Sequence, residues 1–390
     1  MKNYLRIFAL FILFVTALPF CSLGQKFLTT SRRDTADLTF SGTKINPYDI
    51  QFDQSGSLSI SGYVDCYFSA YSDTVNTLGF VKFPTISPRK NQFGLNMAQV
   101  SAKYVSKRFR CTTTLFTGDV PKSAWSDVYN HIQEANMGFQ LYNKLWLDVG
   151  FFRTHIGLES IQPRENMTLS LATTTYYEPY FLSGAKLTYQ HNDQWNFQIN
   201  IFNSFNQFID NNQSKAYGLS LSHNPNQSTS LTFSSILSDE ISSSKIKRPR
   251  LYNNLCYTYK TIKWTVGAEL NYGTQKKTDS IADSHFDQMY SGLLAIKYRI
   301  TPDWSLYGRS EFFDDPNEIL TGPVYNSNHQ IIGPKIAGGT AGIEFKPIPN
   351  SYIRAEYRSL NNLDGNIFVD KNAQPTSQRN EFLIGIGVWF

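Results

Sequence analysis

The sequence ends in the ten residues Glu381-Phe-Leu-Ile-Gly-Ile-Gly-Val-Trp-Phe390. One set of alternate positions is wholly apolar and consists of Phe382, Ile384, Ile386, Val388 and Phe390. The other set is small or mixed and consists of Glu381, Leu383, Gly385, Gly387 and Trp389. Only an extended strand separates residues in this way, because its successive side chains point to opposite sides. We therefore predict a β-strand whose apolar face contacts either a protein core or lipid.

The aromatic residue Phe390 favours lipid as the neighbour of this face. A final aromatic residue is typical of the strand that closes an outer-membrane barrel, where it lies in the girdle at the membrane interface. We also expect the barrel-assembly machinery to recognise Phe390. A strand of a soluble β-sandwich is the alternative on these ten residues alone.

The composition suits a membrane barrel better than a soluble domain. Charged residues make up 17% of the 390-residue chain, compared with about a quarter in soluble domains. Hydropathy indicates no helical membrane span after the N-terminus, but alternating strands average their polarity and escape such a scan. The formal net charge of +5 is too small to indicate a nucleic-acid partner. Cys66, Cys111 and Cys256 are scattered, so we predict neither a disulfide framework nor a metal site.

The N-terminus predicts a secretory signal peptide over residues 1–24. Basic residues precede an apolar run, and small residues lie just before the expected cleavage site. The apolar run is shorter than the roughly 20 residues of a spanning helix, which disfavours an uncleaved anchor. A lipoprotein attached at Cys21 is the other alternative. Residues 25–56 have no clear period and predict a periplasmic N-terminal lead-in, followed by an outer-membrane β-barrel over 57–390.

The alternation of the last ten residues recurs along the chain from Ser57. In the first such segment Leu58 and Val64 share one face, whereas Tyr63 and Asp65 share the other. We count about sixteen such segments, an even number that returns both ends of the chain to the same side of the membrane. The fold predicted is therefore an all-β, transmembrane, antiparallel up-and-down β-barrel.

The connections alternate in length, as expected for short periplasmic turns and long extracellular loops. Tight turns include one at 223–226, and we also predict a bulge between Met97 and Val100. Trp195, Trp264 and Trp304 each open a strand just after a short turn, which predicts an aromatic girdle; three independent core tryptophans are the alternative. The predicted long loops are 73–90, 118–130, 153–181, 203–215, 239–249, 274–287, 314–335 and 360–378.

The polar faces of the strands would line the lumen, because charges on a spanning strand cannot face hydrocarbon cheaply. Sixteen strands leave a water-filled channel rather than a packed interior. The ladder of Arg354, Glu356 and Arg358 would then set the ion selectivity; salt bridges that merely hold the wall are the alternative. The predicted pore-lining residues are Asp65, Lys103, Glu134, Asp148, Glu269, Lys297, Arg299, Arg309, Glu311, Arg354, Glu356 and Arg358.

The loop at 153–181 is the third external one. We predict that it folds inward and narrows the pore, as the third loop of general porins does, with His155, Glu159, Arg164 and Glu165 near the constriction. A solvated surface loop is the alternative.

Six short motifs between residues 62 and 205 can be compared with known families. They are Gly62-Tyr63-Val64-Asp65, Asn91-Gln92-Phe93-Gly94-Leu95-Asn96, Ile132-Gln133-Glu134-Ala135, Leu145-Trp146-Leu147-Asp148-Val149-Gly150, His155-Ile156-Gly157-Leu158-Glu159-Ser160 and Gly184-Ala185-Lys186-Leu187-Thr188-Tyr189. With these motifs, residues 62–205 resemble the putative β-barrel porin-2 family of OmpL-like outer-membrane proteins, whereas the second half of the chain matches only in general pattern. The resemblance implies a porin-like barrel in the outer membrane, with no catalytic or ligand-binding residues to transfer and no implied substrate.

These observations predict passive diffusion of small hydrophilic solutes through a channel in the outer membrane of a Gram-negative bacterium. No cofactor, metal or catalytic residue is predicted. The expected partners are outer-membrane lipid and the solutes. The sequence leaves open whether the protein forms a homotrimer. One alternative is a non-conducting barrel that acts as a surface adhesin or assembly scaffold. Another is a phospholipase-type enzyme, which would need a histidine and a serine on one strand face; Ser222 and His223 would be the residues to test.

Overall fold

A computed structural model describes residues 56–76, 78–83, 86–210, 214–239, 248–280, 283–326 and 329–390, together with a two-residue strand at Leu38–Thr39. That short strand pairs with Ile60 and Ser59. The predicted signal peptide and almost all of the predicted lead-in lie outside the described residues. Within the described residues, no helix is both long and apolar enough to span a bilayer.

Sixteen long strands, here numbered β1 to β16, form one closed antiparallel sheet. Each strand pairs with its neighbours in sequence, and β16 pairs back with β1 through contacts such as Gly385 with Tyr67. This confirms the predicted barrel and strand number; closure leaves no edge with unpaired backbone groups. The strands are Ser57–Tyr71, Gln92–Val105, Phe109–Thr117, Ile132–Tyr142, Leu145–Arg153, Phe181–Gln190, Trp195–Phe202, Ala216–Asn226, Thr229–Ser238, Arg250–Lys260, Trp264–Ser280, Asp283–Arg299, Trp304–Asp314, Lys335–Phe345, Ser351–Asn362 and Gln378–Trp389.

The alternation separates an apolar outer face from an inner face, as β16 illustrates. Phe382 and Ile386 on the outer face are 44% and 48% exposed, whereas Glu381 and Leu383 on the inner face are 2% and 0% exposed. Many other large apolar side chains point outward in the same way. A continuous apolar belt of this kind is the surface that a bilayer covers in a transmembrane barrel.

Short turns lie at one end of the barrel, here called the turn end, and long connections at the other, the loop end. Three predicted details were wrong. The turn placed at 223–226 lies at 227–228, because β8 continues to Asn226. The loop placed at 274–287 is a hairpin in which two 17-residue strands, β11 and β12, extend past the other strands.

The third correction concerns the bulge in β2. Asp65 pairs with Met97 while Cys66 pairs with Leu95, so the extra residue is Asn96. Its side chain is fully buried and donates to Asp65 at 2.7 Å. The bulge therefore turns an amide inward to satisfy a buried carboxylate, one step before the predicted site.

The three tryptophans that open strands lie on the outer face at the turn end. Trp195 stacks on His223 with ring centroids 4.0 Å apart, and Trp304 stacks on Phe345 at 4.6 Å. Trp264 contacts Tyr298 at 4.4 Å. Because Trp264 and Trp304 are 46% and 42% exposed, this arrangement fits an interfacial aromatic girdle rather than a core.

Two short helices occur within the described connections at the loop end. Helix α1 covers Asp119–Ala124, and helix α2 covers Thr173–Tyr177. A 3-10 turn at Pro163–Glu165 precedes α2, and a small hairpin pairs Phe368–Val369 with Pro375–Thr376.

Inward-facing tyrosines lie flat against glycines on the adjacent strand. Tyr307 pairs with Gly342, and Tyr352 pairs with Gly387. A β-carbon on either glycine would overlap the tyrosine ring. Covering a strand glycine with an aromatic ring stabilises a curved sheet, because the ring fills the space that the missing side chain leaves.

We predict that Gly342→Val destabilises the barrel by about 1–3 kcal/mol, because the new side chain displaces the Tyr307 ring. The measurement is the urea midpoint of unfolding in lipid, followed by tryptophan fluorescence. Gly339→Val is the matched control, because nothing lies within 4 Å of a β-carbon at that position on the same strand. Equal midpoints for the two variants would contradict the proposed packing.

Candidate functional site in the lumen

The third long connection, residues 154–180, lies inside the barrel. Leu169 and Ala172 at its centre are completely buried, as is Thr168. The connection contains helix α2 and is here called the lumen loop. Its backbone contacts the inner faces of β11, β13 and β15.

Arg354 on β15 binds the backbone of the lumen loop at three points. Its guanidinium donates to the carbonyl oxygens of Pro163 at 2.8 Å, Thr168 at 2.9 Å and Asn166 at 3.0 Å. The same side chain donates to the Glu344 carboxylate at 2.7 Å. The planar guanidinium has donors for all these acceptors at once, which a lysine could not supply.

Carboxylates on the same wall bind the amide groups of the loop. Glu356 accepts the backbone N–H groups of Leu169 at 2.6 Å and Ser170 at 2.9 Å. Glu311 accepts the N–H of Thr173 at 2.6 Å, just at the start of helix α2. On β11, Glu269 accepts the N–H of Leu158 at 2.7 Å. The wall thus satisfies loop backbone groups that would otherwise be buried without partners.

The remaining charges of this wall neutralise one another. Arg309 pairs with Glu159 of the loop at 2.7 Å and with Glu311 at 3.2 Å. Arg358 pairs with Glu311 at 2.9 Å and with Glu381 at 3.4 Å. A buried ion pair is tolerated only when each charge is matched and hydrogen-bonded, and this cluster meets that condition.

Six of the predicted pore-lining residues therefore hold the lumen loop and do not line water. All of them are at most 7% exposed. Arg354 and Arg358, which were predicted to set the field of an open channel, have charges that are paired and covered by the loop in the structure. The six residues are Glu269, Arg309, Glu311, Arg354, Glu356 and Arg358.

Three of the other predicted lining residues are also hydrogen-bonded or paired. Asp65 is buried and accepts from Tyr63 at 2.7 Å. Asp148 forms a two-point pair with Arg110 at 2.7 and 2.5 Å. The half-buried Glu134 accepts the backbone N–H of Arg153 at 3.4 Å.

The last three predicted lining residues are basic and lie towards the turn end. Lys297 contacts the Glu344 carboxylate at 2.6 Å. Lys103 and Arg299, near the ends of β2 and β12, are exposed. These two side chains lie on the inner face of the barrel near its turn end.

The predicted constriction residues of the loop have different environments. Glu159 is held by Arg309, as described above. Arg164 lies over the Tyr63 ring at 4.8 Å. Glu165 keeps 35% of its side-chain exposure and pairs with Arg153; its partial burial would raise the pKa of Glu165, but the Arg153 charge outweighs this and lowers that pKa. Burial lowers the pKa of His155 to about 4, so this imidazole is neutral near pH 7.

An apolar cluster at the loop end was not predicted from the sequence. Inward-facing aromatic residues near strand ends pack there against residues of the connections. The signal was present, because pairs such as Phe151-Phe152 and Phe312-Phe313 place apolar side chains on both faces of a strand. Members of the cluster are Phe152, Phe202, Tyr252, Met289, Phe313, Leu360, Ile156, Ile319, Val324 and Phe368.

We predict that Glu356→Ala releases the lumen loop, because the N–H groups of Leu169 and Ser170 lose their acceptor. Each hydrogen bond to a charged group contributes about 1.5–3 kcal/mol, so docking should weaken by a few kcal/mol. Limited proteolysis in detergent should cut the variant within 154–180 much faster than the parent protein. Asp364→Ala is the control, because Asp364 is an exposed carboxylate at the loop end. Equal cleavage rates would contradict the docking role.

We also predict that alkaline pH loosens the loop through Glu178. Burial raises the pKa of Glu178 well above its usual value, the Glu269 carboxylate adds to this, and Tyr252 donates to Glu178 at 2.7 Å. Docking is thus favoured by protonated Glu178, is fully stable at low pH, and weakens as the pH rises through the raised pKa. Cleavage within 154–180 should therefore increase as the pH is raised above the ordinary range of carboxyl groups. In the Glu178→Gln variant, the cleavage rate should change with pH only as far as the activity of the protease itself does. A rise in cleavage as large as that of the parent protein would contradict this prediction.

Comparison with known proteins agrees with this architecture. The structure is similar to OmpT of Vibrio cholerae, with 13% identity, 88% of this chain and 100% of that chain covered, and a TM-score of 0.56. It is also similar to an anion-selective porin from Comamonas acidovorans, with 11% identity, coverages of 86% and 100%, and a TM-score of 0.57. OmpF of Salmonella typhi in complex with daunomycin gives 12% identity, coverages of 86% and 98%, and a TM-score of 0.57.

At these identities the structural matches show the fold alone. A search of curated proteins finds no significant match. The model of the family described as putative beta-barrel porin-2, OmpL-like, matches residues 57–390, which is the whole of the predicted barrel. The chain therefore belongs to this family and is a porin-like channel of the outer membrane.

Proposed function

We propose that the protein mediates passive diffusion of small hydrophilic solutes and that the lumen loop sets the width of the path. The observation that carries this proposal is the attachment of the loop to the inner wall by Arg354, Glu356 and Arg309. The loop also reaches the opposite wall, where Glu165 pairs with Arg153 and Gln162 donates to Gln133 at 3.1 Å, so water and solutes would pass beside these contacts.

The side chains on that opposite wall support the proposal. Glu134 and Asn136 on β4, Arg153 at the end of β5 and Lys186 on β6 are all half-exposed. Arg153 and Glu165 of the loop retain 31% and 35% of their side-chain exposure. Polar groups that remain accessible at the level of a narrowing loop are the groups that solutes would contact during permeation.

The enzyme alternative finds no support in the arrangement of Ser222 and His223. The Ser222 hydroxyl accepts a hydrogen bond from Thr232 at 3.1 Å. His223, on the opposite face of the same strand, stacks on Trp195. The imidazole therefore points away from the hydroxyl and is not placed to activate it. We propose that the protein acts without a covalent step.

The environment of the protein follows from its outer surface. The apolar belt faces outer-membrane lipid. We further propose that the turn end faces the periplasm of a Gram-negative cell, that the barrel-assembly machinery recognises Phe390, and that the lead-in at 25–56 is periplasmic. A homotrimer is compatible with the belt, and chemical crosslinking in native membranes would test it.

Single-channel recording in planar bilayers tests the proposed function. The purified protein should give discrete conductance steps, and deletion of residues 161–174 should increase the conductance, because the deleted segment lies within the lumen. Deletion of residues 371–373 is the control, because this exposed tip lies outside the lumen-loop contacts. A parent protein without conductance would overturn the proposal in favour of a non-conducting scaffold. An unchanged conductance after the 161–174 deletion would show that the loop does not limit permeation.

A further inference from the structure

The charges inside the barrel divide into two groups according to their partners. Next to the lumen loop, basic side chains are paired and covered, as shown for Arg309, Arg354 and Arg358. Towards the turn end the inner wall carries more basic groups than carboxylates. We call this region the turn-end vestibule; its inward-facing basic residues are Lys103, Arg110, Lys297, Arg299 and Lys346.

Two inward-facing carboxylates, Asp148 and Glu344, lie on the same part of the described wall. Asp148 is occupied by Arg110. Glu344 is shared by Lys297 at 2.6 Å, Arg354 at 2.7 Å and Lys346 at 4.0 Å. One carboxylate among three cations leaves an excess of positive charge at this level of the barrel.

Two vestibule residues, Lys103 and Arg299, form no ion pair within the described part of the chain. Both are exposed near the ends of β2 and β12. Unpaired cations on a wall of low dielectric raise the local concentration of anions, because the lipid and protein around the lumen focus the field into the water.

The short turns extend the same field to the mouth of the vestibule. Five basic residues and two acidic ones lie in or beside these turns, and all of them are exposed. A small anion approaching from the turn end therefore meets positive potential before it reaches the wall. The basic residues are Lys107, Arg108, Lys144, Lys260 and Lys263, and the acidic ones are Asp193 and Asp303.

We infer that the turn-end vestibule makes the channel selective for small anions and that Lys103 and Arg299 are its main determinants. This inference rests on the proposed function, because selectivity requires a conducting path. The charges next to the lumen loop contribute less, because they are buried and bound to one another or to the backbone of the loop.

The reversal potential across a bilayer with a potassium chloride gradient tests this inference. The parent protein should favour chloride over potassium. The double variant Lys103→Glu/Arg299→Glu should reduce the chloride-to-potassium permeability ratio at least about threefold, since one charge on the order of 8 Å away changes ion occupancy about twofold in water. High salt should shrink the preference of the parent protein, because the screening length falls to about 3 Å at 1 M.

The control variant Lys122→Glu/Lys371→Glu has the same change in net charge on exposed residues of loop-end connections. Its permeability ratio should match that of the parent protein. An equal fall in both variants would overturn the inference, because net charge rather than the vestibule would then govern selectivity. A conducting double variant with an unaltered ratio would also overturn it while leaving the proposed function intact. Absence of conductance in the parent protein would overturn the proposed function itself.

Discussion

Every charge on the inner wall of this barrel must meet a partner or water, and this requirement organises the lumen. Arg354 illustrates it, because its guanidinium satisfies one carboxylate and three loop carbonyls. The Glu356 carboxylate accepts hydrogen bonds from the backbone N–H groups of Leu169 and Ser170, the next two amides of the same loop. Alternating charges on one strand therefore match the donors and acceptors of an irregular segment, which can then lie inside the barrel without regular structure of its own.

The loop contacts much of the inner wall, but most of its ionic partners lie on one side. Glu269 on β11, Glu311 on β13 and Glu356 on β15 accept loop amides, and Arg309 pairs with Glu159. β7, β8 and β9 present mainly serine, asparagine and glutamine inward; there Ser234 donates to the carbonyl oxygen of His155 at 2.9 Å. Water or a single backbone group satisfies such neutral side chains at little cost. The buried charges of the barrel thus lie mainly where the loop supplies partners for them.

The sequence allowed the barrel to be predicted because its signal has a period of two and recurs in each strand. In β16 the faces proposed from Phe382 to Phe390 are the faces observed, since a register error of one residue would reverse every side chain. The alternating lengths of the connections were informative for a similar reason, because they follow from topology and not from individual contacts. The limits of β8, β11 and β12 were less accurate, because polar hairpins continue the backbone pairing without any apolar alternation.

The lumen was harder to predict, because its partners are distant in sequence and often belong to the backbone. Glu356 binds amides almost two hundred positions away in the sequence. A backbone N–H group is present at nearly every residue, so no pattern of side chains shows which one a distant carboxylate will bind. The alternation indicated that Glu356 points inward, but it could not show whether water or protein would meet it there. The apolar cluster at the loop end was missed for a related reason. The inner face of a strand is polar over most of its length, and this conceals an inward apolar residue at its end, such as Phe313.

The charges on the inner wall of this channel act in two different ways. A charge that fastens a loop is cancelled by the groups it fastens, so its field does not extend into the water path. A charge that is free to act on a permeating ion must lack such partners, as Lys103 and Arg299 do among the described residues near the turn end. Attachment of the loop and discrimination between ions therefore draw on different residues at different depths. A substitution in one set should leave the other property in place, and this separation distinguishes a fastened, selective channel from a uniformly charged pore.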